Sequence, residues 1–189
     1  MVEVRPATVF EDVAAVIGPK RPDASVCFCL SHRIPAKENQ ALTGPARGEY
    51  VRALTLRDPA PGVVAYDGGT PVGWCGVAPR SATQFARSTR IPRLDDLPVW
   101  SLWCIRVRAG QRGRGVTRSL IEGAVAFAAS HGAPAIEAYP VDNGGRQVDR
   151  TMAFVGLRGW FERARFVKAA DTGSTLDGFP RVLMRRDLR

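Results

Sequence analysis

The sequence predicts an α/β domain, and two stretches carry most of that prediction. Residues 101–142 read as an extended run (SLWCIRVR), a basic turn with glycines (AGQRGRGVT), an amphipathic helix (RSLIEGAVAFAASHG) and a second short strand (AIEAYPV). Residues 61–77 form two β-rich runs around Asp67-Gly68, the dipeptide that most favours a tight hairpin turn. A chain of 189 residues is long enough for one full hydrophobic core, and no repeat or low-complexity tract divides it, so residues 1–189 are read as a single domain.

The remaining elements follow in order. Val2 to Arg5 alternates like an opening strand. Thr8 and Glu11 have capping-box spacing, and Phe10, Val13, Ala14 and Ile17 supply an apolar stripe that ends at Gly18. Residues 25–34 (SVCFCLSHRI) are apolar without a clear period, which leaves a strand and a lid-like connection both open. A short helix is expected over 49–56, between Gly44-Pro45 and Asp58-Pro59. Within the hairpin, Gly73 and Gly76 point to a bulge or to close approach by another group. Residues 79–97 are expected to form a surface loop or a short helix. Asp95 and Asp96 there are either solvent-facing turn carboxylates or a site for an amine.

In the helix after the basic turn, Leu120, Ala124 and Ala128 share a stripe with Ile121 and Val125, and Gly132 stands where a left-handed cap is usual. Beyond the loop at 141–146, a helix is expected over 151–164, built on Met152, Phe154, Val155 and Phe161 and weakened by Gly156 and Gly159. A strand begins at Phe166-Val167, a loop is expected over 171–179, and Val182 to Met184 forms the last strand.

Composition removes several classes of function. No run of about 18 apolar residues exists, which argues against a membrane span. Arg5, Glu11 and Asp12 break up the amino terminus, so the cytoplasm is the default location. Cys27, Cys29, Cys75 and Cys104 are scattered, and with only His32 and His131 to help them they make no metal-ligand spacing. The net charge is +9, and only Lys20, Lys37 and Lys168 of the cations are lysines. Such a surplus attracts anions. Its dispersal along the chain, without a zinc-finger or basic-arm pattern, argues against nucleic acid as the main partner.

The basic turn is the most informative local feature. Residues 111–115 (QRGRG) would place unpaired backbone N–H groups at the start of a helix, where the helix dipole also favours negative charge. Neither the GxxxxGK[ST] spacing of nucleotide hydrolases nor the full GxGxxG of dinucleotide folds is present. The residues alone therefore indicate an anion cradle between a strand and a helix.

The run Arg112-Gly113-Arg114-Gly115-Val116-Thr117 resembles the acetyl-CoA signature of the GCN5-related N-acetyltransferase superfamily: Arg or Gln, two residues, Gly, one residue, then Gly or Ala. Thr117 departs from it with a β-branched side chain. Residues 160–166 (WFERARF) resemble the family's Tyr, three residues, Gly-Phe segment, with Phe161 at the tyrosine and Arg165 at the glycine. The resemblance implies an acyl-CoA N-acyltransferase fold, a mixed central sheet with helices on both faces. It implies acetyl-CoA as cofactor, with the pantetheine arm on the backbone of Cys104, Ile105, Arg106 and Val107. The pyrophosphate would lie on Arg112, Gly113, Arg114, Gly115 and Val116, beside Thr117. Arg118 is a further phosphate contact and Asn143 a contact to CoA. The implied reaction is direct attack on the acetyl group, in a ternary complex, by a primary amine of a small molecule or protein lysine; a homodimer is compatible with the family, though no patch in the sequence marks one.

No side chain stands out as the catalyst. A phenylalanine at 161 cannot protonate the departing thiolate, as the family tyrosine does. Glu137 and Tyr139 alternate along the fifth strand and so share a face, making them candidates for proton acceptor and donor. An arginine-paired glutamate and a core aromatic are the competing reading. Cys104 reads as a buried strand thiol, His32 as a loop histidine that is exposed or approaches the cleft, and His131 as a cation at a helix carboxyl end. A non-catalytic acyl-CoA sensor or interaction domain on the same scaffold is the alternative function.

Overall fold

The computed structural model describes residues 2–21, 23–24, 26–149 and 152–188. In chain order these form β1 (Val2–Pro6), α1 (Phe10–Ile17), α2 (Ala36–Ala41), α3 (Gly44–Thr55), β2 (Gly62–Asp67), β3 (Thr70–Pro79), β4 (Trp100–Val107), α4 (Val116–Ser130), β5 (Ala135–Ala138), α5 (Arg158–Arg163), β6 (Val167–Leu176) and β7 (Phe179–Asp187). Short 3₁₀ turns lie at Arg80–Ala82, Gln84–Arg87 and Met152–Val155. One seven-stranded sheet runs in the order β1-β2-β3-β4-β5-β7-β6. Its neighbours are antiparallel except β4 and β5, which are parallel and joined through α4. This is the mixed α/β sheet with helices on both faces.

Two apolar layers fix the helices. On one face, Leu120, Ile121, Ala124 and Ala128 of α4 pack on Val63, Val77, Leu102 and Ile136, together with Phe161 from α5. On the other, Val13 and Ile17 of α1 and Val51 and Leu54 of α3 cover Trp74, Trp103, Tyr139 and Leu183. Gly73 and Gly76 serve the close approaches their place in a strand suggests. A Cβ at Gly73 would lie 2.9 Å from Leu120 and Val116, and one at Gly76 would lie 2.9 Å from the Trp103 ring. Opposite Gly76, β4 carries a bulge: Gly76 pairs with Cys104 and Val77 with Leu102, leaving Trp103 as the extra residue.

The β4–β5 pairing lasts only from Trp100↔Ile136 to Leu102↔Ala138. Past that point β4 continues to Val107 while β5 has ended, and Pro140 has no N–H with which to extend a ladder. The strands part there, leaving one edge of β4 unpaired from Trp103 to Val107.

Several local expectations are corrected. Thr8 and Glu11 form no capping box; α1 starts after Val9 without a side-chain cap, and Glu11 reaches across to Arg52 at 2.9 Å. The helix expected at 49–56 begins earlier, because Gly44-Pro45 opens it: proline is well placed in a first turn. Residues 26–34 are neither strand nor regular helix, and Cys27, Phe28, Cys29 and His32 all adopt positive φ. The helix expected over 151–164 is divided at Gly156 (φ 86°) into a 3₁₀ turn and α5; Thr151 lies outside the described residues. The loop expected over 171–179 is mostly strand: β6 and β7 meet in a tight Asp177-Gly178 turn with both φ values positive, a second Asp-Gly hairpin.

Gly123 of α4 faces β1, where an added Cβ would fall 2.3 Å from Cγ1 of Val4. Gly123→Val is expected to cost about 1–3 kcal/mol by overpacking, and thermal denaturation checks it. An unchanged midpoint would mean that α4 and β1 can separate freely.

Candidate active site

The turn between β4 and α4 gets its shape from glycines whose backbones are left-handed: Gly113 at φ 77° and Gly115 at φ 80°. No heavy atom lies within 4 Å of a Cβ built on either, so backbone conformation rather than crowding makes glycine the fitting residue there. Gly115 is the N-cap of α4 and offers no side chain to its first amides, so those N–H groups point outward at the positive end of a 15-residue helix.

A cleft of about 680 Å³ opens over this turn. Ile105, Arg106 and Val107 of β4 form one wall; Gln111, Arg112, Gly113, Gly115, Val116, Thr117 and Arg118 form the floor. The far wall consists of Arg146, Gln147, Val148, Ala153, Leu157, Trp160 and Arg163. Among the described residues, Arg106, Arg112, Arg118, Arg146 and Arg163 have no ion-pair partner; Arg106 lies over Phe154 and Arg146 over Phe179. Uncompensated guanidinium groups around a concave surface create the field expected to draw in a polyphosphate. Thr117 sits on the floor without closing it.

Three residues expected at the cofactor direct their side chains elsewhere. Arg114 turns outward to Gln111 (2.7 Å) and Asp67 (3.3 Å). The Cys104 side chain is buried on the opposite face of the sheet, because the Trp103 bulge resets the alternation and puts both side chains there, while its backbone stays on the unpaired edge of β4. Asn143 turns back on its own loop, donating from Nδ2 to the carbonyl of Arg146. Conversely, apart from Trp160 as a candidate cleft-wall aromatic, the sequence leaves the far wall unassigned. Trp160 and Arg163 are one helical turn apart on α5, a spacing that could have placed them on one face; nothing in the sequence alone places the 146–148 loop opposite β4.

Glu137 and Tyr139 do share a face, but it is sealed and does not border the cleft. Both are essentially inaccessible to solvent. The Tyr139 hydroxyl donates to Glu137 Oε2 (3.1 Å) and is shared with Ser101 Oγ (2.8 Å), while Arg80 Nη1 donates to the same carboxylate oxygen at 2.8 Å. Burial raises the Glu137 carboxyl above its ordinary range, against the pull of Arg80; burial also raises the Tyr139 phenol, with Glu137 adding to it. Arg80 Nη2 goes on to the carbonyls of Phe85, Ile91 and Pro92. The cluster thus fastens the 80–92 loop to β5, and the expected exchange of protons with a substrate in the cleft does not fit this placement. Asp95 and Asp96 take the structural role: Asp95 pairs with Arg185 (2.5 Å) and Asp96 with Arg93 (2.9 Å).

Phe161 is fully buried against Gly156 and Phe166, so the tyrosine position holds neither a hydroxyl nor a path to solvent. Arg165 takes φ 62°, the conformation for which the family's glycine is suited. His131 accepts its place at the end of α4, with Nδ1 2.9 Å from the Phe127 carbonyl and Nε2 3.2 Å from Asp58. His32 is half-buried rather than an exposed loop residue; it stacks on Phe85, which in turn contacts Tyr139. Burial and the nearby Arg181 cation lower its pKa to about 4. Arg181 donates from Nε to the Tyr139 carbonyl, and its buried Nη2 has no hydrogen-bond partner among the described residues.

Sheet order, splayed central strands and an arginine-rimmed helix start together define the architecture of acyl-CoA transferases. The model of the acetyltransferase (GNAT) family matches residues 31–148, more than half of the sequence, and the chain belongs to that family. Similar solved structures include a protein from Desulfovibrio desulfuricans assigned to the GNAT family (18% identity, 99% of each chain, TM-score 0.57). A GCN5-related N-acetyltransferase from Kribbella flavida is 20% identical over 99% of this chain and 98% of its own, with a TM-score of 0.51. The protein yncA from Salmonella typhimurium, described as an acetyltransferase and solved with acetyl-CoA, is 14% identical over 100% and 94%, with a TM-score of 0.56. At these identities the likeness is one of fold. Among curated protein sequences none matches significantly. No group of metal-ligating side chains and no helix long and apolar enough to cross a membrane occurs among the described residues.

Two measurements test the electrostatics. Glu137→Ala leaves Arg80 buried without its carboxylate and is expected to cost about 3–5 kcal/mol of stability in urea denaturation; a near-neutral result would remove the fastening role. His32 is a base whose folded pKa is depressed, so its contribution to stability is present above the unfolded value of 6.5 and is lost as pH falls towards about 4. The loss amounts to about 3 kcal/mol. His32→Gln should flatten the stability profile between those pH values, and an unchanged profile would contradict the assignment.

Proposed function

We propose that residues 1–189 form one acetyl-CoA-dependent N-acetyltransferase domain that acetylates a primary amine, on a small molecule or a protein lysine, by direct attack in a ternary complex. The observation that carries this reading is the continuity of two unsatisfied surfaces. The uncapped amides of α4 lead directly to the unpaired edge of β4, and the arginines ring the first of them. A ligand with a pyrophosphate at one end and an amide-bearing arm at the other matches both.

In this reading the amides of residues 116–118, with Arg112 and Arg118, hold phosphate oxygens. The backbone of Ile105 to Val107 pairs with the amides of the arm, and the Leu157 and Trp160 side chains exclude water from it. When bound, acetyl-CoA supplies an activated acetyl thioester. Positioning and backbone polarisation then contribute much of the rate, because a thiolate departs readily. No hydroxyl at position 161 is available to protonate it, so that proton comes from solvent or from the amine. The Arg80–Glu137–Tyr139 cluster holds the loop on the opposite face in place rather than exchanging protons. We place the protein in the cytoplasm, as a candidate homodimer, without nucleic acid.

Phe161 also favours a second reading, a non-catalytic acyl-CoA sensor or interaction domain. Calorimetric titration with acetyl-CoA tests what the two share, and absence of binding at millimolar ligand would remove both. Gly115→Trp is expected to weaken binding at least about tenfold, equivalent to 1.4 kcal/mol, with circular dichroism confirming a folded protein. Release of CoA thiol across a panel of amines and lysine peptides separates the readings: acceptor-dependent release supports the enzyme, and binding without release for every acceptor supports the sensor.

A further inference from the structure

The segment before α2 is built with more care than a surface connection requires. Cys27, Phe28 and Cys29 adopt φ values of 70°, 53° and 48°, a succession of left-handed non-glycine residues that only surrounding contacts can maintain. Arg47, itself 1% exposed, provides one of those contacts by donating from Nε to the Cys27 carbonyl at 2.9 Å. Its other donors go to the carbonyls of Asn39 and Leu42 and to Asn39 Oδ1. The Phe28 amide donates to the Ile17 carbonyl at 2.7 Å, and the Phe28 ring stacks on Phe10. The result is to drive Cys29 inward, onto the bulged part of β4.

Cys29 lies there among Trp74, Trp103 and Cys104 in one buried cluster. Among the described residues the buried Nε1 atoms of Trp74 and Trp103 have no hydrogen-bond partner, although a buried indole N–H usually finds one. Each of them, and the Cys104 thiol, lies near enough to the Cys29 sulfur to draw its pKa down. A neutral thiol is a weak acceptor, so these donors remain poorly satisfied. An ionised sulfur, or an oxygen carried on that sulfur, would serve them far better. The Arg33 guanidinium, stacked over Trp103 at 5.0 Å, adds positive charge to the same site. In keeping with this, the Cys29 thiol is held below its ordinary pKa despite its burial, while burial and the neighbouring Cys29 push Cys104 up. All four cysteines are free, and the proposed acetyl transfer uses none of their sulfurs.

We propose that Cys29 and Cys104 form a reversible redox pair that reacts with peroxides. The Cys29 thiolate attacks the peroxide: an S–O bond forms, the O–O bond breaks, and the departing hydroxide takes up a proton to give water. The sulfur loses two electrons and becomes a sulfenic acid, whose oxygen lies within the ring of indole donors. Cys104 then gives up its proton and attacks the Cys29 sulfur; the S–S bond forms and the S–O bond breaks, releasing a second water. A dithiol then breaks the S–S bond by thiol–disulfide exchange, returning both cysteines to thiols and itself closing to a disulfide. The bond ties the 26–34 segment to β4 one residue before Ile105, where the cleft wall begins.

The test uses the whole protein and hydrogen peroxide, and its readout does not depend on acetyl transfer. After peroxide treatment and alkylation of free thiols, non-reducing digestion with chymotrypsin, which cuts after Phe28, separates Cys27 from Cys29 for mass spectrometry. The expected product is a Cys29–Cys104 linked peptide that disappears on treatment with dithiothreitol. In Cys104→Ser the expected product is a sulfenic acid on Cys29, captured by dimedone. Oxidation confined to the exposed Cys27, a Cys29–Cys75 link, or an unreacted Cys29 would each overturn the proposal. The wild-type digestion decides the question even if the variant fails to fold.

Discussion

The pairing between β4 and β5 stops at Leu102 and Ala138, and much of the molecule is arranged around that interruption. Pro140 denies β5 the donor that would extend the ladder, and the bulge at Trp103 turns β4 away from its neighbour. Backbone groups left without partners in a protein interior are costly. Here they face a cleft, where a ligand or water can satisfy them. The 3₁₀ turn at Met152–Val155 and helix α5 close the far side, so the gap in the sheet becomes a walled space rather than a loss of structure. On the other face of the same region, Arg80 and Glu137 bind the 80–92 loop to β5.

How much of this could be read from residues alone depended on the range of the forces involved. The hairpin at Asp67-Gly68 and the stripe of Leu120, Ala124 and Ala128 are local signals, and both elements are where those residues imply. The cradle at Gly113 and Gly115 is also local, because it needs only backbone freedom and a helix start. Glu137 and Tyr139 were legible as residues on one side of a strand. Their partner Arg80 is 57 positions away in the chain, and that contact makes the face a sealed interior. The far wall of the cleft and the inward turn of Cys29 likewise depend on long-range packing. One local pattern gave way to it, since Glu11 left its cap for Arg52; between residues 171 and 179 the competition was itself local, the Asp177-Gly178 turn outweighing a loop-like composition.

Burial around Tyr139 has a consistent logic. His32, Phe85 and Tyr139 stack in series, and Arg181 holds the Tyr139 carbonyl from the neighbouring strand. These contacts join the segment before α2, the 80–92 loop and β7 to the end of β5. Three parts of the chain that are distant in sequence therefore share one rigid support.

The cleft's positive charge has one more implication. Among the described residues all the cations that line it are arginines, and none of the chain's three lysines lines the cleft. A lysine ammonium that loses its proton is a nucleophile, whereas a guanidinium stays protonated and hardly attacks a thioester. A reactive acyl donor could therefore rest in this cleft beside strong positive charge without modifying the walls that hold it. The protein can attract its donor with groups that the donor cannot consume.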